Sequence, residues 1–248
     1  DFAICPDLAS GGTVWFTGGG GTEDAPYRVF ELAPGADAPA VVEPSLAGFT
    51  DSAAAGPGGL FAFDWKRSPA GCARIRVVEP ATGLSRLLTD GSVGCEAQPT
   101  WHPEGARVVY VAVDPDSGAP SLFEASLTDP TPRALSGVAL AGTHPAYSPD
   151  GDRVAYDCPV GSGVAICVVD VETGESVAVT SGPDDKEPAW LPDGSGLVFT
   201  VVADSGRHWI AHIDLLSGAI SPLVDDRFDN AHALVLAMRP DLAQTVLR

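Results

Sequence analysis

An all-β fold built from repeated four-stranded units is predicted by three observations. A proline-anchored turn recurs at a period in the forties, a second turn keeps register with it, and the stretches between are short, β-branched and aromatic. Three segments align: Pro-Thr-Trp-His-Pro-Glu-Gly at 99–105, Pro-Ala-Tyr-Ser-Pro-Asp-Gly at 145–151 and Pro-Ala-Trp-Leu-Pro-Asp-Gly at 188–194. Weaker copies are Gly56-Pro57-Gly58-Gly59, Cys5-Pro6-Asp7 and Arg239-Pro240-Asp241. The anchor prolines 6, 57, 103, 149, 192 and 240 lie 51, 46, 46, 43 and 48 residues apart. The second landmark is Ala33-Pro34-Gly35, Ala81-Thr82-Gly83, Thr128-Asp129-Pro130, Glu172-Thr173-Gly174 and Leu216-Ser217-Gly218, each about half a repeat beyond its anchor.

Each unit reads as four strands, in the fourth repeat 145–148, 153–158, 164–170 and 176–180. Pro-Asp-Gly makes the turn because Pro presets φ, Asp binds its own backbone and Gly accepts positive φ. No stretch sustains a helical period, and 28 glycines with 22 prolines argue against one. Units of this size close radially, so the prediction is a β-propeller, six-bladed or five blades plus an incomplete sixth. It is read as one domain, 1–248, with repeats near 1–50, 51–96, 97–142, 143–186 and 187–231 and a partial one at 232–248. The last blade is open to three readings: the native chain continues, the blade is a two-stranded remnant, or five blades close alone. An incomplete blade presents a sheet edge, which proteins cover or pair.

Composition narrows the function. The chain carries 33 acidic and 14 basic side chains, a net charge of −19, and only two lysines, Lys66 and Lys186. Such a chain repels phosphate backbones, which argues against nucleic acid as a partner. Apolar residues at 45% suffice for a core and argue against disorder. No apolar run approaches the roughly 18 residues of a membrane span. The start at Asp1 without Met fits either a processed, exported chain or a trimmed one.

The pattern Pro-x-(Trp/Tyr)-x-Pro-Asp-Gly, then an apolar strand, then a strand ending in Asp before a Thr-Gly turn, resembles the WD-like Pro-Asp repeat of TolB-type propellers. The match is best from Pro99 to about Asp229. The resemblance implies a scaffold or binding module, with enzymes as occasional members.

The five cysteines are Cys5, Cys72, Cys95, Cys158 and Cys167, and none forms a CxxC pair. Cys158 and Cys167 fall on adjacent strands of one hairpin. Cys72 and Cys95 flank neighbouring strands of the second repeat. Two local disulfides are expected, with buried reduced cysteine as the alternative. Disulfides would place the protein in an oxidising compartment: periplasm, cell surface or secreted.

The residue before Pro99, Pro145 and Pro188 is Gln98, His144 and Glu187, and counting from the anchors gives Asp1, Ser52 and Val235 elsewhere. Equivalent positions on innermost strands share one level of a central channel, and His232 lies near the same rim. Imidazole with amide and carboxylate oxygens suits a divalent cation. Propeller lyases acting on oligogalacturonate are similar in carrying a channel metal on histidine and glutamine. A polar, hydrated channel mouth is the plainer reading. His208 and His212, on a strand, stand about 13 Å apart and cannot share an ion. His102 is expected to be solvent-exposed in its turn. Trp101 and Trp190 are expected to pack between blades, with sugar stacking as the sharper alternative. The acidic loops at 114–118 and 184–185 are expected to be solvated turns rather than calcium sites.

With no Gly-x-Ser-x-Gly elbow, the expected function is a non-catalytic, exported protein-binding or scaffolding propeller without a cofactor, either on its own or as a subunit of a larger assembly. The alternative is an enzyme or small-ligand binder with a divalent metal at the channel mouth, oligogalacturonate-lyase-like or carbohydrate-active.

Overall fold

The computed structural model describes residues 2–8, 12–19, 28–42, 48–79, 82–135, 141–203 and 206–223. Among them lie five four-stranded antiparallel sheets, each an up-and-down meander in chain order, and no α-helix. The first sheet holds β1 (Phe2–Leu8), β2 (Val14–Gly19), β3 (Arg28–Leu32) and β4 (Ala40–Val41). The second holds β5 (Ala53–Ala55), β6 (Phe61–Trp65), β7 (Arg74–Glu79) and β8 (Leu84–Leu87). The third holds β9 (Cys95–Trp101), β10 (Arg107–Val113), β11 (Pro120–Ser126) and β12 (Arg133–Ala134). The fourth holds β13 (Thr143–Tyr147), β14 (Arg153–Val160), β15 (Gly163–Asp170) and β16 (Ser176–Ala178). The fifth holds β17 (Asp185–Trp190), β18 (Gly196–Val202), β19 (His208–Asp214) and β20 (Ile220–Pro222). These are the blades of a β-propeller. The expected partial sixth repeat, 232–248, lies outside the described residues.

The anchor turns join the first and second strands of the second to fifth sheets. Gly105, Gly151 and Gly194 take φ of 75°, 79° and 70°, as the Pro-x-Gly turn requires. The first repeat departs from its expected register. Ile4 pairs with Thr17 and Asp7 with Trp15, so Cys5 and Pro6 form a bulge inside β1 rather than a turn. Pro fits either place because a bulge, like a turn, requires no ladder N–H. Cys5 therefore stands where Gln98 stands in the third repeat.

The chain divides into two compact units, 1–145 and 146–248. In the first unit, successive residues of the second sheet feed two different cores. Phe61, Phe63 and Val78 pack with Val29 of the first sheet. Ala62, Ile75 and Val77 pack with Trp101, Val108 and Tyr110 of the third. The period-2 alternation of a strand explains why its apolar residues run continuously when both faces are covered. In the second unit, Ala155, Ile166 and Val168 of the fourth sheet pack with Trp190, Leu197, Phe199 and Ile213 of the fifth.

Trp101 and Trp190 have the packing role expected of them, and both are buried. Trp101 Nε1–H donates to Ala54 O at 3.1 Å, and Trp190 Nε1–H to Ala146 O at 2.9 Å. Each indole thus spans to the inner strand of the preceding sheet. A Cβ on Gly56 would sit 2.8 Å from the Trp101 ring, so that position holds no side chain. Arg153 covers the other tryptophan, its guanidinium 4.6 Å from the Trp190 ring.

Candidate functional site

Among the described residues, the three non-glycine residues with positive φ are Gln98 (53°), His144 (49°) and Glu187 (56°), the same three that the repeat arithmetic singles out. Each precedes a proline on the innermost strand of its sheet. On β9 and β17 the ladder slips there: Gln98-Pro99 together oppose Tyr110, and Glu187-Pro188 oppose Phe199. A bulge explains the pairing: the extra residue turns left-handed, and the following Pro has no N–H to leave unpaired. An L-residue in this conformation costs roughly 1–2 kcal/mol, so neighbouring structure must hold it.

In the first unit that support passes from sheet to sheet. Gln98 N–H donates to Ser52 Oγ at 2.9 Å, and His144 N–H donates to Gln98 Oε1 at 2.9 Å. The side chain at this level of one repeat therefore receives the backbone amide of the next. In the second unit, Glu187 N–H donates to Asp157 Oδ1 at 2.8 Å, and Thr200 Oγ1 donates to Glu187 Oε2 at 3.4 Å. Gln98 and His144 are thus brought together, while Glu187 repeats their conformation within its own unit. His232 lies outside the described residues. Gln98, His144 and Glu187 are half-buried. Among the described residues, no three His, Cys, Asp or Glu side chains group as a metal ion would require. Gln98 Oε1 accepts one amide and keeps a second lone pair, so it can still meet a donor or a cation.

Sequence reasoning missed the buried acids behind these positions. Asp64 and Asp157 occupy the same place on the second strands of their sheets and are buried. Asp64 Oδ1 accepts Asp51 N–H at 2.8 Å, Ser52 N–H at 2.9 Å and the Thr50 hydroxyl at 3.1 Å. Burial raises its carboxyl to about 6, against the lowering effect of those bonds. The signal was present: Phe63-Asp64 and Tyr156-Asp157 each set an aspartate in an apolar strand at one phase of the repeat.

A second buried group lies between the second and third sheets. Thr89 Oγ1 accepts Ile75 N–H at 2.9 Å and donates to Glu96 Oε2. Burial pushes the Glu96 carboxyl upward. Glu96 Oε1 and the Tyr110 hydroxyl are buried without a hydrogen-bond partner. Burial, with the Glu96 charge second, pushes the Tyr110 phenol upward too.

The remaining candidates resolve individually. His102 is buried, not exposed as expected. Its Nδ1 accepts Glu104 N–H at 3.1 Å, because a short polar turn residue can fold back to cap its own turn. His208 and His212 lie on β19 as expected. Asp114 closes its own turn by accepting from Asp116 N–H, Ser117 N–H and Ser117 Oγ, and these bonds hold its carboxyl below the usual range. Asp184 pairs with Lys186 at 2.9 Å, and Asp185 is buried. Both expected disulfides are present, Cys72–Cys95 and Cys158–Cys167, with Cα separations of 4.6 and 5.8 Å. Cys95 opens β9, so the first bridge joins two sheets rather than strands of one repeat.

No family model matches the chain. The uncharacterized peptidase YuxL of Bacillus subtilis is 24% identical over 163 residues, which are 51% of this chain and 24% of that protein. The match thus spans about a quarter of that relative's length. Among solved structures, a putative TolB from Agrobacterium tumefaciens superposes with a TM-score of 0.76 at 18% identity, over 90% of this chain and 81% of that one. An oligogalacturonate lyase in complex with manganese superposes with a TM-score of 0.62 at 15% identity, over 89% of this chain and 64% of that one. The fold is a TolB-like β-propeller.

Proposed function

We propose that this propeller is an exported, non-catalytic module that binds or scaffolds another protein. One observation carries the reading: Ser52 and Gln98, at the inner-strand level, use their side-chain oxygens to hold the next sheet. Polar groups committed to the frame leave recognition to the loops and outer strands. Two disulfides favour export. The net charge of −19 favours a partner with a basic surface. The peptidase match is compatible, since a propeller can be the binding portion of a longer enzyme.

Cross-linking in the native envelope followed by mass spectrometry tests this. A stoichiometric protein partner, released by salt, is the expected result. A chain that captures no macromolecule overturns the reading.

The second reading, metal binding through Gln98, His144 and Glu187, draws on the left-handed backbone the three share. Strain of this kind gathers at functional sites. Elemental analysis of the purified chain, with His144→Ala as control, decides it: a stoichiometric divalent metal lost in the variant makes this reading the stronger.

A further inference from the structure

The two disulfides differ in what they tie and in who can reach them. Cys158 and Cys167 are buried and join β14 to β15, strands already paired along their full length. Cys72 is exposed, in the segment before β7 of the second sheet, and its partner Cys95 begins β9 of the third. Thiol–disulfide exchange requires a thiolate to reach a sulfur atom, and access governs its rate. Of the four sulfurs, Cys72 Sγ belongs to the exposed residue.

The surroundings give this bond a specific task. Directly after Cys95 comes Glu96, tied to Thr89 just past β8 of the second sheet, and two residues further on Gln98 is tied to Ser52 just before β5 of the same sheet. The contact surface they share also contains two buried polar atoms without partners, Glu96 Oε1 and the Tyr110 hydroxyl. Such atoms destabilise a packed interface. A covalent tie at the head of β9 offsets them.

We propose that Cys72–Cys95 is a redox-sensitive clasp on the seam between the second and third sheets, opened by a dithiol reductant while Cys158–Cys167 stays closed. A reductant thiolate attacks Cys72 Sγ, and Cys95 leaves as a thiolate that takes a proton from solvent. The second reductant thiol then attacks the mixed disulfide at its own sulfur and expels Cys72 as a thiol. Two electrons pass from the dithiol, which ends as a disulfide, to the protein, which ends with two thiols. The clasp is thus closed in an oxidising compartment and open in a reducing one, whatever partner the propeller binds.

Graded dithiothreitol treatment of the full oxidised chain, with alkylation and peptide mass mapping, tests the proposal alongside thermal unfolding. Cys72 and Cys95 are expected to become labelled at a reductant concentration at least about ten-fold below that for Cys158 and Cys167. At that stage the unfolding midpoint falls by about 10 °C, from the loss of a 23-residue closure. Labelling of all four together, of Cys158 and Cys167 first, or of Cys72 and Cys95 with no change in midpoint overturns it. The Cys72→Ser/Cys95→Ser variant should match the singly reduced protein, and a variant as stable as the oxidised chain would also refute the clasp. If that variant does not fold, the wild-type titration decides alone.

Discussion

The seam between the second and third sheets and the seam between the fourth and fifth start from the same parts. In the first, Ile75 N–H donates to Thr89 Oγ1 at 2.9 Å; in the second, Ile166 N–H donates to Thr180 Oγ1 at the same distance. A buried acid lies at the start of the next inner strand in each case, Glu96 second in β9 and Asp185 first in β17. An indole closes each, Trp101 on Ala54 O and Trp190 on Ala146 O. The endings differ. Asp185 Oδ2 accepts Gly182 N–H at 3.0 Å, whereas the longer Glu96 reaches Thr89 and leaves one oxygen unpartnered. The first seam carries a disulfide; the second carries Arg153, stacked on Trp190 and donating to Gly194 O at 3.4 Å. One repeat motif thus supports two solutions, covalent where a polar group is left over and non-covalent where the hydrogen bonds close.

The comparison can be broken most forcefully at the indoles. Trp101→Ala and Trp190→Ala should each cost about 3–5 kcal/mol in chemical unfolding, and a loss below about 1 kcal/mol at either would deny that the indole closes its seam. Next come the acids. Asp185→Ala should cost about 1–3 kcal/mol, because Gly182 N–H loses its acceptor. Glu96→Gln should act in the opposite sense. A carboxyl raised by burial is most compatible with the fold when protonated, so its contribution falls as pH rises above the ordinary carboxylate range. The variant should therefore unfold at a higher midpoint than the parent at pH 8, with the gap closing near pH 4. An equal midpoint at both pH values would remove Glu96 from the account.

Asp64→Asn sharpens the same point by comparison with an acid of known placement. With Asp64 raised to about 6, the parent should lose roughly 2–3 kcal/mol at most between pH 4 and 6 from this group. The asparagine can still accept the Asp51 and Ser52 amides, so the slope should flatten without loss of fold. The smallest expected effect is at Arg153→Ala, about 1 kcal/mol for a half-buried stacking contact. High salt should leave that value nearly unchanged if ring contact dominates, and halve it if charge pairing with Asp150 does.

The blades were legible because their punctuation is local. A Pro-Asp-Gly turn fixes its own dihedrals, and the Cys158–Cys167 pairing follows from a hairpin whose loop can be counted. Pro6 was misread because proline suits a turn and a bulge equally, and only the pairing of Ile4 with Thr17 separates them. His102 was expected in solvent because turns are polar, yet its ring folds back onto Glu104 N–H. The left-handed backbone at Gln98, His144 and Glu187 was not legible either, since a residue before proline ordinarily prefers the extended region.

By itself the sequence determined the repeat, the four strands within it and the place of Gln98, His144 and Glu187 before an inner-strand proline, because each follows from side chains a few positions apart. Tertiary structure alone decided what those residues do. Whether Gln98 faces an amide, or Glu96 keeps an orphan oxygen, depends on atoms supplied by another sheet dozens of residues away. No local propensity encodes that distance.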